Sequence, residues 1–231
     1  MSSPTKEVKA EANLRINRFR FSTRLNYLIF PIDGRTLAEA LERAGFTVPK
    51  ILPAPPRARI GFSGEMGRKG DLVLDGNSET QVLGVTAKSY ESAMNGFAEL
   101  KEAVSTCSGV DLDQEGRFYE IIVEFEINSA KSPLGSVEQV FRENQLLKNA
   151  GSILGEDVSL FTVRLVSKGK VPNQEEWLDV TLEPDILMPT KKYLVSVIFR
   201  SKDKSKVQAF GSDVDQKLVK LIGAIEGPAN A

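Results

Sequence analysis

The sequence predicts an α+β fold in which a strand-helix-three-strand-helix unit occurs twice and its antiparallel strands join into a curved sheet backed by helices. Three observations predict it. Each half contains a long segment whose apolar and charged residues alternate with the period of a half-buried strand. Each also contains apolar residues at three- and four-residue spacing, bounded by capping residues and a stopping glycine. The order of these elements is the same in both halves.

Residues 1–13 are polar and lack aromatic and strong β-forming side chains, so they read as a tail, as do residues 227–231. From Ile16 to Ile29, Phe19, Phe21, Leu25, Tyr27 and Ile29 take one parity, while Arg18, Arg20, Ser22, Arg24 and Asn26 take the other. One strand face is therefore apolar and the opposite face arginine-rich. Asp33-Gly34 turns the chain, Thr36 and Glu39 fit a capping box, and Leu37, Ala40, Leu41 and Ala44 keep helical spacing up to Gly45. Prolines at 49, 53, 55 and 56 make residues 47–56 an extended connector, because proline lacks the donor that a helix or central strand requires. Strands resume at Arg57–Ser63, with Ala58, Ile60 and Phe62 inward. They continue at Leu72–Leu74 and Val82–Lys88, divided by the glycine-rich loop 64–70 and an Asp75-Gly76-Asn77 turn. Ser89 then caps a helix carrying Tyr90, Met94, Phe97, Lys101 and Val104, which ends near Gly109.

The second half runs through the same order. Tyr119, Ile121, Val123, Phe125 and Ile127 alternate along a strand, and Val137, Val140, Phe141 and Leu147 stripe a helix closing near Gly151. Strands follow at Val158–Val166, Trp177–Leu182 and Tyr193–Arg200. A final helix carries Val207, Val214, Leu218, Leu221, Ile222 and Ile225, with Gly211 interrupting its first turn. The repeats, residues 14–110 and 111–226, match in element order without residue-level identity. This order resembles the duplicated saddle of the TATA-binding-protein fold. The resemblance implies an open sheet face in front of a helical layer; the element order equally permits two side-by-side domains meeting near Gly109–Gly116. Each half has fewer strands than that family and none of its motifs matches, so no functional residue is carried across.

Composition narrows the chemistry. Among 231 residues there is no histidine and a single cysteine, Cys107. That removes Ser-His-Asp and Cys-His dyads, His-ligated metals and an imidazole general base. One cysteine gives neither an internal disulfide nor a cysteine-rich zinc site, and points to a cytoplasmic, reducing location. No apolar run approaches the ~20 residues needed to span a bilayer, and the charged opening residues do not form a signal segment. No membrane association is expected.

Motifs for cofactors are incomplete. The Gly64–Gly70 loop with Arg68 and Lys69 could cradle a phosphate, but it lacks the Walker and dinucleotide spacings and runs into a strand; a hairpin turn with solvated charges is the simpler account. Asp111, Asp113, Glu115 and Gly116 open like a calcium loop, yet its twelfth position is Ile122, which offers no carboxylate, so a polar turn is expected. Cys107 has no basic or cationic sequence neighbour to activate it and reads as structural. Glu120, Glu124 and Glu126 share one strand face, where carboxylates could hold Mg²⁺ or exchange protons, although a solvated face is the commoner arrangement. No catalytic residue, metal or cofactor is assigned.

Charge carries more information. Residues 1–110 hold 15 basic and 12 acidic side chains, residues 111–231 hold 15 and 19. Arg18, Arg20, Arg24, Arg57 and Arg59 occupy the face opposite the apolar parity in the first half; Glu120, Glu124, Glu126, Asp179 and Glu183 do so in the second. The expected function is a non-enzymatic binding or assembly protein whose arginine face engages an acidic protein partner or another copy of itself, with Trp177, Tyr193, Leu28 and Phe30 as apolar anchors. The alternative is nucleic-acid backbone binding. For that reading Arg68, Lys69, Arg200, Lys202 and Lys204 are further phosphate contacts, within a cluster that includes Lys191, Lys192 and Lys206 and joined by Lys6 and Lys9 of the tail. Against it, Phe19 and Phe21 point away from the arginines and cannot stack bases beside them.

Overall fold

A computed structural model describes residues 14–49, 61–142 and 144–227. In chain order the elements are β1 (Leu14–Leu25), α1 (Gly34–Arg43), β2 (Ser63–Lys69), β3 (Leu72–Asn77), β4 (Val82–Ala87) and α2 (Tyr90–Ser108), followed by β5 (Gly116–Asn128), α3 (Pro133–Phe141), α4 (Gln145–Leu154), β6 (Val163–Val166), β7 (Trp177–Pro184), β8 (Lys192–Ser201), α5 (Lys204–Ser212) and α6 (Val214–Glu226). The strands form one eight-stranded curved sheet, antiparallel throughout, in the order β2-β3-β4-β1-β5-β8-β7-β6. The chain is α+β, and its two halves meet along the central β1–β5 seam.

Strand parity explains which face is covered. In β1, Phe19, Phe21 and Leu25 are buried beneath the helices. Ile16 has the wrong parity for that face, and the conflict is resolved by a bulge: Ile16 pairs with Phe125 but Arg18 pairs with Glu124, so one extra residue returns Leu14 and Ile16 to the apolar side. A single hydrophobic cluster runs from Leu37 and Leu41 of α1, through Phe97, Leu100 and Val104 of α2, to Val207 of α5 and Leu218 and Ile222 of α6. Val137 brings α3 into it. Helix α4 buries no side chain at all.

Several boundaries differ from those the sequence predicts. The segment 57–60 lies outside the described residues, and the predicted loop 64–70 is largely strand β2. Gly67 sits there because a Cβ would come 3.3 Å from that of Phe46, and Gly70, at φ +62°, makes the turn. Asp75-Gly76-Asn77 is likewise strand rather than turn. A Cβ on Gly76 would lie within 3 Å of Phe62, Leu83 and Met66, so this glycine permits close packing. The strand predicted from Ile16 leaves the sheet at Leu25, where Asn26 donates its amide to Glu115 O. Asp33, not Thr36, caps α1, accepting from the amides of Arg35 and Thr36. Ser89 caps α2 as expected, and Gly109, at φ +71°, ends it. The helix predicted through 137–151 divides into α3 and α4, the latter capped by Asn144. The final helix divides at Asp213 into α5 and α6. Strand β6 is only the last four residues of the predicted Val158–Val166.

Candidate interaction face

The side of the sheet away from the helices carries the charged parity. Arg18, Arg20 and Arg24 all occupy it, as predicted from β1, but two of the three find acids within the sheet. Arg18 Nη1 lies 3.2 Å from Glu124 Oε1 across the β1–β5 seam. Arg20 Nε lies 2.9 Å from Asp75 Oδ2, two strands away, while its Nη1 donates to Ser22 Oγ at 2.9 Å. This pair is held because Gly84 leaves space for it: a Cβ there would be 2.6 Å from Arg20 Nη2 and 2.7 Å from Asp75 Oδ1. Glu126 is shared between Arg15 at 3.5 Å and Lys192 at 3.2 Å. The hydrogen bonds from Asn17 and Lys192 hold its carboxyl below the usual range.

Arg24 differs. Among the described residues no hydrogen bond or ion pair reaches its side chain, and its Nε is buried without an acceptor. Its cross-strand neighbours, Val82 and Phe118, provide no charge. The chain then leaves the sheet and presents Leu28, fully exposed, and Ile29, 71% exposed. Arg57 and Arg59 lie outside the described residues.

Each of the five predicted phosphate contacts already has an acidic partner. Arg68 forks onto Glu65 at 2.8 Å and 3.2 Å. Lys69 meets Glu99 at 2.7 Å and lies over the Phe46 ring. Lys202 binds Glu175 at 2.6 Å. Lys204 binds Asp113 at 2.5 Å above the rings of Phe97 and Tyr119. Arg200 is the most engaged: two of its nitrogens donate to Glu120 Oε2, Nη1 donates to Pro172 O and Gln174 O at 2.9 Å each, and its guanidinium covers the Phe118 ring at 4.7 Å. It clamps the 167–176 loop onto the sheet.

The basic and acidic strand faces thus meet inside one molecule, along β1–β5 and β5–β8. Asp179, an expected surface acid, is buried at 5% exposure and receives two hydrogen bonds from Arg164, at 3.0 Å and 2.6 Å. Of the expected apolar anchors only Leu28 is accessible. Phe30 packs edge-on against Phe62, and Trp177 and Tyr193 are buried. Parity placed Ile29 inward on the strand, so it was missed. The available signal was the break in alternation at Leu28-Ile29 just before Pro31.

The remaining motifs resolve as structure. Asp113 is bound by Lys101 and Lys204; burial alone would raise its carboxyl, but the hydrogen bonds and charges of the two lysines outweigh that and hold it low. Asp111 accepts the Asp113 amide at 2.9 Å in a side-chain turn. Among the described residues no cluster of three or more acidic or cysteine side chains is placed to hold a metal ion. Burial pushes the Cys107 thiol up, which keeps it protonated near neutral pH. Glu120 and Glu124 are the partners of Arg200 and Arg18. Among the described residues no helix is long and apolar enough to cross a membrane. No protein-family model matches the chain, and no curated protein matches it.

Proposed function

We propose that the protein is a non-enzymatic binding or assembly protein of a reducing, cytoplasmic environment, and that it engages an acidic protein partner through the corner formed by Arg24, Leu28 and Ile29. The observation that carries this reading is the contrast along β1: Arg18 and Arg20 are paired internally, whereas Arg24 has a buried nitrogen with no acceptor among the described residues and precedes two exposed apolar side chains, Leu28 and Ile29, by four and five positions. Because Nε is buried, a partner carboxylate would engage the terminal nitrogens of this otherwise unpaired guanidinium while apolar contact excludes water, the combination that concentrates binding energy in few residues. A protein is favoured over nucleic acid because Arg68, Lys69, Arg200, Lys202 and Lys204 already have carboxylates of this chain. We further infer that the fold arose by duplication into a saddle. Support comes from the strand order, which reads β2-β3-β4-β1 from one edge and β6-β7-β8-β5 from the other.

A photo-crosslinking amino acid at Leu28, introduced in cells of the native source, should trap a discrete protein. Arg24→Glu should reduce that trapping at least tenfold, in line with the loss of about 2 kcal/mol or more typical of a central arginine. Trapping indifferent to Arg24 would overturn the proposal, and trapped RNA or DNA would transfer the site to the nucleic-acid alternative.

A further inference from the structure

The two edges of the sheet are finished differently. At β2 the outer side is occupied: Thr47 and Arg68 exchange backbone hydrogen bonds of 2.8 Å and 2.9 Å, and the strand is bulged and carries Glu65 and Arg68. These are the usual protections of a sheet edge. At β6 none of the described residues pairs with the outer side, and Leu165 and Val166 are 42% and 47% exposed.

The register identifies the free groups. Ser167 N donates to Leu178 O, which makes 167/178 a hydrogen-bonded pair of the antiparallel β6–β7 ladder. Such pairs alternate, so Leu165 and Val163 bond inward to Val180 and Leu182, and the N–H and C=O of Arg164 and Val166 point outward. The next ladder agrees: Asp185 N donates to Lys192 O, which makes 179/198 and 181/196 the bonded pairs of β7–β8.

We propose that this edge pairs with the same edge of a second copy of the chain, antiparallel about a two-fold axis at Leu165. Arg164 of each copy then exchanges both backbone hydrogen bonds with Val166 of the other, and the two Leu165 side chains meet on the helical side. Charge selects this partner and this direction. Glu183 lies at one end of the edge, its carboxylate 3.5 Å from Thr162 Oγ1; exposed Lys168 lies at the other. Antiparallel pairing sets the basic end of one copy against the acidic end of its partner, twice. The two Arg164 guanidinium groups do not oppose it, since each is neutralised by its own Asp179. A four-residue edge makes a small interface, in the transient class below about 1,200 Å². This inference does not rest on the Arg24 corner.

The test is sedimentation of the full-length protein from micromolar to near-millimolar concentration. Wild type should show a reversible monomer–dimer equilibrium. Val166→Pro removes an outward N–H without touching the β7 ladder, and Leu165→Lys charges the axis; each should weaken dimerisation at least tenfold while leaving the circular dichroism of the monomer unchanged. Arg24→Glu should leave the equilibrium as it is, which separates this proposal from the one above. A monomer at every concentration, or a dimer that both edge variants retain, would overturn it. Weakening by a peptide of sequence 162–167 added in excess would support it, because a free copy of the edge competes for the same groups.

Discussion

At the scale of single residues, the open face is organised by what is missing at Gly84. The Arg20–Asp75 pair spans β1 to β3 over the β4 backbone, and any side chain at 84 would occupy its place. Arg20 is only 9% exposed, so a displaced guanidinium would be left partly desolvated without its acid. Gly84→Ala should therefore cost about 1–3 kcal/mol in urea unfolding, the penalty of leaving a buried polar group unsatisfied. In an Arg20→Ala, Asp75→Ala background the same glycine change should cost much less, since neither charge remains to be displaced. Equal costs in both backgrounds would show that the glycine serves the strand rather than the pair.

At the scale of elements, the 167–176 loop is fastened by charges, not by burial. Arg200 holds two of its carbonyls, and Glu175 bridges Arg117 and Lys202. The hydrogen bonds from Lys202 and then Arg117 lower the Glu175 carboxyl from 4.5 to about 2. A depressed carboxyl stabilises the folded loop above the unfolded value and loses that contribution as pH falls toward the folded one. Amide exchange in 167–176, followed from pH 6 down to 2, should accelerate beyond its intrinsic pH trend between about 4.5 and 2, with the core of β5 unaffected. Glu175→Gln should show the faster exchange already at pH 6; protection that ignores both pH and this change would refute the account. Such fastenings were not legible in the sequence, because Arg200 and Glu120 are 80 residues apart. The elements they join were legible, since strand parity and helix caps are local. Prediction failed where a glycine serves packing, as at Gly76, rather than a turn, and where a bulge, as after Ile16, shifts parity by one. It failed again at the two split helices, which break after Arg142 and at Asp213, whereas Gly211, the expected interruption, lies within α5.

At the scale of the whole molecule, the same locality explains why the two halves read from the sequence as an arginine face and a separate acidic face. Pairing of β1 with β5 sets Arg15 and Arg18 against Glu126 and Glu124, while Arg20, Arg164 and Arg200 find their acids within their own halves. The seam joins more than charge. Phe21 stacks on Tyr119 at 6.2 Å, and Lys204 of the last quarter of the chain lies over Phe97 of α2. Gly211 of α5 sits where a Cβ would be 3.2 Å from Phe19 and 3.3 Å from Tyr90. Neither half can be removed without exposing Phe19, Phe21, Ile121 and Val123, all without solvent exposure in the intact sheet. The two halves should accordingly unfold as one cooperative unit despite a length typical of two small domains. Guanidinium unfolding followed by far-ultraviolet dichroism and by the fluorescence of Trp177, the single tryptophan, should give coincident transitions. Fragments 1–110 and 111–231 expressed separately should lack that transition. Two resolved transitions, or a fragment that folds alone, would mean that the β1–β5 seam joins two units that are each stable without it.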